Sequence, residues 1–357
     1  MLLLALLAPA SAAEVTDMAP GAGALVGVHY GGSALTGRLL ESGTEIAGRR
    51  VQRHDLNVGV EVAPIEGLAL TVELQTTPSM RLAYPDAREM VSEPASGSGS
   101  YLPGVTSAET PVVQASGLQG VWLGAAVAPF AERYAGTAGS TWRLDAGFRP
   151  GSKGRNLWTA GDNGNRGVAP GGSAFKLQGA FSSDRGAGQP YAQVTWIREG
   201  AATVDVTDED GADWGTLELQ PASTLSLRGG IEIVAFKAAP DQPPARFAVD
   251  LSVGAGYRSW EDVASGVYLP NVLDSGRQIP VTVGDQMMGT VGLGFDYHSG
   301  ELIRGRTGAT FTYVMPFQVE HVYDVRTSAD TYTIGWSFTI QAAPKFVADT
   351  KPTPAAI

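Results

Sequence analysis

A chain of 357 residues can hold one large domain or two ordinary ones. Its net charge of −11 argues against a nucleic-acid role, which wants a basic face. The absence of cysteine excludes a disulfide framework, thiolate metal sites and a lipid-modified N-terminal cysteine, and no run approaches the roughly 18 apolar residues of a transmembrane helix.

The N-terminus reads as an export signal over residues 1–13. Leu2 to Ala8 is a short Leu/Ala run, and Pro9-Ala10-Ser11-Ala12-Ala13 offers a small-residue cleavage site. No Lys or Arg precedes the run. Beyond it the chain is a series of period-two segments, the pattern of strands with one apolar and one polar face. A first strand is predicted over Ala24 to Gly31, with Val26, Val28 and Tyr30 on one face. Residues 32–53 are polar and Gly-rich and read as a loop. His54 to Ala63 and Leu68 to Gln75 form a clear hairpin around Pro64-Ile65-Glu66-Gly67. Its apolar faces carry Val60 and Val72, and its polar faces carry Glu61 and Glu73.

A long Ser/Gly/Pro-rich loop, Pro78 to Pro111, precedes a strand over Val112 to Val127 whose facing stays open, because glycine breaks the alternation. Ser140 to Arg149 sets Trp142, Leu144, Ala146 and Phe148 against Arg143, Asp145, Gly147 and Arg149. Ser173 to Ser182 sets Phe175, Leu177 and Phe181 against Lys176 and Gln178. Tyr191 to Arg198 follows. Ser223 to Phe236 then opposes Leu225, Leu227, Ile231 and Ile233 to Ser226, Arg228, Gly230 and Glu232. Arg246 to Arg258 opposes Phe247, Val249, Leu251, Val253 and Tyr257 to Asp250, Ser252, Gly254, Gly256 and Arg258. Gln286 to Tyr297 places Asp296 on its polar face, and Ile303 to Met315 places Arg304 and Arg306 there. The twelfth strand, Asp330 to Gln341, alternates strictly, with Tyr332, Ile334, Trp336, Phe338 and Ile340 on one side.

Most of these strands are long, where soluble strands centre on about five or six residues. Tyr and Trp fall near their ends on the apolar face, at Tyr30, Trp142, Tyr257, Tyr297, Tyr313 and Tyr332, as an interfacial girdle requires. Long and short connections alternate, as extracellular loops and periplasmic turns do. Thr333, Gly335, Phe338 and Ile340 of the last strand resemble the assembly signal of bacterial outer-membrane β-barrels. The resemblance implies an all-β fold, a single antiparallel transmembrane barrel of about twelve strands spanning residues 14–342, with both termini in the periplasm. It also implies insertion among outer-membrane lipids and lipopolysaccharide by the barrel-assembly machinery. A soluble β-sandwich is the competing fold, since alternation alone does not separate the two. Residues 343–357 read as a disordered periplasmic tail.

In a barrel the polar faces turn inward. That set is Glu61, Glu73, Arg143, Asp145, Arg149, Lys176, Arg228, Glu232, Asp250, Arg258, Asp296, Arg304 and Arg306. The signs nearly balance, so the charges either pair with one another or line a channel. About eight strands leave a filled interior and about sixteen an aqueous pore. Inward glycines, among them Gly59, Gly147, Gly230, Gly254, Gly256, Gly292, Gly294, Gly308 and Gly335, are expected to leave room for small polar solutes. The alternative is a non-conducting structural or surface-interaction barrel. Arg306 needs a carboxylate, and Asp296 on the preceding strand is the nearest in sequence.

No catalytic signature is present. The His-x-Ser pair shared by barrel lipases and deacylases has no match at His29, His54, His298 or His321, and the Asn-Pro-Ala plug motif of outer-membrane fatty-acid transporters is absent. The acidic stretch Asp205, Asp208, Glu209, Asp210 and Asp213 fails as an EF-hand. With Gly211 at the sixth position, Val206 and Leu217 stand where acidic residues belong. No enzyme activity, cofactor or metal is expected.

Overall fold

The computed structural model describes residues 18–19, 22–41, 44–83, 112–130, 140–151, 171–183, 185–207, 213–238, 245–259, 261–262, 282–283, 285–299, 303–316, 325–327 and 331–342. Residues 1–13 and 343–357, expected as signal peptide and tail, lie outside that set. Twelve antiparallel strands make up the wall: β1 Gly23–Glu41, β2 Thr44–Ile65, β3 Leu68–Ala83, β4 Val112–Phe130, β5 Ser140–Arg149 and β6 Ala174–Ser183. They continue as β7 Gly188–Glu199, β8 Thr224–Lys237, β9 Ala245–Arg258, β10 Gln286–Ser299, β11 Ile303–Pro316 and β12 Thr331–Ala342. Each pairs with its neighbours in sequence, and β1 pairs with both β2 and β12, from Val26 opposite Ala342 to Thr36 opposite Tyr332. The sheet is therefore a closed barrel with no edge, which removes the unpaired backbone groups that lipid does not tolerate.

Burial separates the barrel from the sandwich. A soluble core hides Leu and Val and shows its charges to water. Here Leu227 is 59% and Val253 64% exposed, while Glu232 and Asp250 are wholly buried. On β9 the outward row runs Phe247, Val249, Leu251, Val253, Ala255, Tyr257. That row is about 33 Å long at ~3.3 Å per residue. A tilt of about 45° brings it to roughly 23 Å across, close to the height of a transmembrane barrel's apolar band. The outside is apolar because it meets lipid, and the fold is a transmembrane barrel.

Aromatic rings cap the band. Trp142 lies against Phe181 with centroids 4.8 Å apart, and Tyr257, Tyr297 and Tyr313 are exposed as expected. The side chain of Tyr332 lies outside the described residues. Tyr30 belongs to a cluster with His54 and Trp336. Its ring meets Trp336 edge-on at 5.4 Å, and its hydroxyl bonds His54 Nδ1 at 3.1 Å. The indole of Trp336 lies over Gly32, where an added Cβ would come within 2.6 Å of the ring, so glycine is what admits it.

Of residues 32–53, read as a loop, 32–41 and 44–53 are strand. The β1–β2 register runs from Gly23 opposite Ala63 to Glu41 opposite Thr44, and only residues 42–43 connect the two. Polarity on both faces hid this from a period-two reading. Beyond Tyr30 and His54 the outward residues Arg38, Arg50 and Gln52 are exposed and polar, so the apolar alternation stops while the pairing continues. β3 likewise continues past Gln75 to Ala83. The facing of β4 is now fixed. Gln75 pairs Gly120 and Thr76 pairs Leu118, so Gln119 is an extra, bulged residue. Gly117 and Gly120 take φ of +134° and +156°, where a side chain is strained. Beyond the bulge Leu123 and Val127 face out, and Trp122 and Ala126 face in. The stretch from Glu199 to Pro221, also read as loop, holds a hairpin of Ala202–Thr207 with Asp213–Leu219. Residues 208–212, including Asp208 and Asp210, lie outside the described set.

Candidate functional site

The lumen divides into two halves. Along β7 to β11 it is filled by charged side chains that reach past a neighbouring strand. Strands two apart in a sheet are separated by about 9.5 Å, so a side chain spanning that gap must cross the strand between. It crosses where that strand has no side chain. Tyr191 of β7 passes over Gly230 of β8 and donates to Asp250 Oδ1 of β9 at 2.8 Å. A Cβ on Gly230 would stand 2.5 Å from the Tyr191 ring. Arg306 of β11 passes Gly294 of β10 to reach Asp250 Oδ2 at 2.8 Å, and a Cβ there would lie 3.1 Å from the guanidinium. Arg228 donates to Ser252 Oγ at 2.9 Å and stands 3.8 Å from Asp250. Arg246 pairs with Glu232, stands 3.8 Å from Asp296 and donates to Gln189 at 2.7 Å.

This corrects the expectation that inward glycines leave an open ring. Met288 fills the space at Gly256, Ser252 that at Gly292 and Thr310 that at Gly335. Charges buried this deeply hold only with partners, and the glycines let the partners meet. Arg306 finds Asp250, two strands away, as well as facing Asp296 in the register of β10 and β11.

The other half, along β1 to β6, keeps space. A cavity of about 290 Å³ opens there, with Glu61, Glu73, Arg143, Asp145, Lys176 and Trp122 in its lining. A Cβ on Gly59 would meet nothing within 4 Å. Arg143 donates to Glu61 Oε2 and Asp145 Oδ1, both at 2.7 Å. It spans from β5 to β2 because the intervening inward positions, Ala69 and Ala126, are small. Lys176 of β6 lies across Gly147 of β5, whose Cβ would sit 3.4 Å from its Cε, and over the Trp122 ring at 5.0 Å. It ends 3.3 Å from Glu73 Oε2. Gln75 donates to Glu73 Oε1 at 2.8 Å and accepts from Trp122 Nε1 at 3.2 Å. On the far side Arg149 stacks on Trp122 at 5.2 Å and pairs with Glu199.

Both ends of this half are narrowed. Toward the β1–β2 projection, Arg53, Asp55, Thr77 and Gln119 form a buried network. Arg53 Nε bonds Asp55 Oδ1 at 2.7 Å, and the bulged Gln119 donates to the same oxygen at 2.9 Å. At the opposite mouth, Met18 and Ala19 tuck inside against Ala63, Ala69, Ala126 and Ala128. The Ala19 backbone N–H donates to Glu61 Oε1 at 2.6 Å, so the same carboxylate binds this segment and Arg143.

Of the residues singled out in the sequence, Glu61, Glu73, Arg143, Asp145 and Lys176 come together at the cavity. Arg149 is behind it, and Arg228, Glu232, Asp250, Asp296 and Arg306 occupy the packed half. Arg258 is half-buried near the end of β9, and the side chain of Arg304 lies outside the described residues. Sequence reading missed Arg53 and Gln119, which fell in a presumed loop and on a strand of open facing, and left Asp55 out of the inward charged set although it lies on the polar face of His54 to Ala63. It gave no facing to the strands that carry Trp122 and Tyr191, and so placed neither ring inside. Their signal was positional: each is out of phase with the apolar residues beside it.

No family model matches the chain, and no curated protein matches it. Solved structures similar to it are bacterial outer-membrane proteins at low identity. An outer membrane channel from Pseudomonas putida F1 is 12% identical, covering 91% of this chain and 98% of that one, with a TM-score of 0.49. The translocator domain of the autotransporter NalP from Neisseria meningitidis is 13% identical, over 92% and 90%, at 0.39. A FadL homologue from Pseudomonas aeruginosa is 12% identical, over 95% and 93%, at 0.37.

Proposed function

We propose that the chain is an outer-membrane channel of a Gram-negative cell that passes small polar solutes through the β1–β6 half of its lumen. One observation carries the reading: among the described residues a cavity in the β1–β6 half is bordered by charged side chains, while the lumen along β7 to β11 holds buried ion pairs. Three carboxylates, Glu61, Glu73 and Asp145, and two cations, Arg143 and Lys176, line it, each cation paired with a carboxylate. A space of this size and polarity suits hydrated solutes of a few carbons and not a wide aqueous pore. The apolar outer band supports an outer-membrane location reached through the export signal, with lipopolysaccharide and the barrel-assembly machinery as partners. No residue of the lumen is assigned a catalytic role.

The second reading is a non-conducting structural barrel. The interlocked pairs of β7 to β11 and the Met18–Ala19 segment in the mouth favour it. Single-channel recording in planar bilayers decides between them. Discrete openings of small conductance support the channel. A protein that inserts and gives no current leaves the structural barrel.

A further inference from the structure

Among the described ion pairs of the lumen, Glu73 and Lys176 stand apart. Their side chains are 30% and 22% exposed, whereas the members of the Arg143–Glu61 pair are 11% and 8%, and those of the Arg306–Asp250 pair 4% and 0%. Their separation of 3.3 Å is also longer than the 2.7–2.8 Å of those pairs. Both groups are nevertheless fixed. Gln75, itself held by Trp122, orients Glu73 from one side, and the Trp122 ring supports Lys176 from below. What remains open on each faces the cavity: lone pairs of a carboxylate, and N–H donors of an ammonium with three.

We propose that the Glu73–Lys176 pair is a recognition subsite for a small zwitterion whose ammonium and carboxylate sit on the same or adjacent carbons, as in a free amino acid. This rests on the channel reading for its purpose but not for its test. Such a solute meets both groups at once, its ammonium on Glu73 and its carboxylate on Lys176, and forms two charge-assisted hydrogen bonds. A simple cation meets Lys176 as a like charge, and a simple anion meets Glu73 in the same way. A neutral sugar has neither bond to gain. The cavity of about 290 Å³ admits a solute of that size.

The test is binding of L-glutamine to the purified full chain in detergent, followed by titration calorimetry. D-ribose, propionate, propylamine and 6-aminohexanoate, whose charges are too far apart for the pair, serve as comparison solutes. The E73Q/K176M variant removes both charges together, so neither is left buried alone, and its unboiled gel mobility reports folding. The expected result is saturable glutamine binding, with each comparison solute and the variant weaker on the order of tenfold or more, the size of losing hydrogen bonds to charged groups. No glutamine binding by the wild type, or equal binding by the folded variant or by ribose, overturns the proposal. Liposome swelling with glutamine, run separately, tests conduction. Binding without swelling keeps the subsite and rejects the channel, and swelling without binding does the reverse.

Discussion

Glycine in this barrel sets which side chains meet. At Gly230 the missing Cβ is the passage by which Tyr191 reaches Asp250. Gly230→Val should displace the tyrosine and remove a hydrogen bond to a carboxylate, costing about 1.5–3 kcal/mol. Gly59→Val, on the same inward face but with nothing within 4 Å of its Cβ, should change stability by less than about 1 kcal/mol. Urea unfolding in lipid vesicles, followed by tryptophan emission, compares the two. Equal costs would remove the crossing role from Gly230. Glu61 carries a second residue-scale prediction, because it holds both Ala19 and Arg143. Glu61→Ala should free the Met18–Ala19 segment from the mouth and raise single-channel conductance. Arg143 keeps Asp145 at 2.7 Å, so the wall should stay folded. An unchanged conductance would mean that the segment does not limit the path.

Each strand has one face in lipid and one in a charged interior. Val60, Val72 and Leu251 are 36%, 46% and 45% exposed on the outer face. Arg at any of them should cost roughly 2–4 kcal/mol near the bilayer midplane. Thr71 faces the cavity, where an added Arg finds carboxylates and should cost less. Ser252 shares its face but not its freedom. It accepts from Arg228 and fills the space at Gly292, so Ser252→Arg should cost at least as much as a lipid-facing change. Vesicle unfolding of the five single variants gives the order. Thr71→Arg falling with Val72→Arg would contradict the assignment of faces. The β1–β2 projection shows the limit of the periodic signal at this scale. Its pairing continues to Thr44 although the outward residues turn polar, since the backbone ladder does not require an apolar face.

The closed cylinder of the whole molecule has its own signature. Closure between β1 and β12 ties the ends of the described wall together through eleven paired positions, from Val26 to Thr36. Opening it means breaking the seam while the outer face is still in lipid or detergent. The protein should therefore keep its barrel in cold detergent and migrate differently on a gel before and after boiling. Recovery from the soluble cytoplasmic fraction with Met1 intact would defeat both the export and the membrane readings.

Period two in side-chain polarity determined the strand count and, except on β4 and β7, the outward set, because alternation is a local property and lipid demands it along each strand. It reached the inward residues Glu61, Asp250 and Arg306 for the same reason. It did not reach their partners. That Arg306 meets Asp250, and that Lys176 meets Glu73 across Gly147 and Trp122, depends on which strands lie two or three apart around the ring and on what the strands between leave open. The bulge at Gln119 and the tucked Met18–Ala19 segment belong to the same class. Only the tertiary structure decided where the lumen is filled and where it is open, since that depends on side chains from several strands sharing one volume, and no single strand records it.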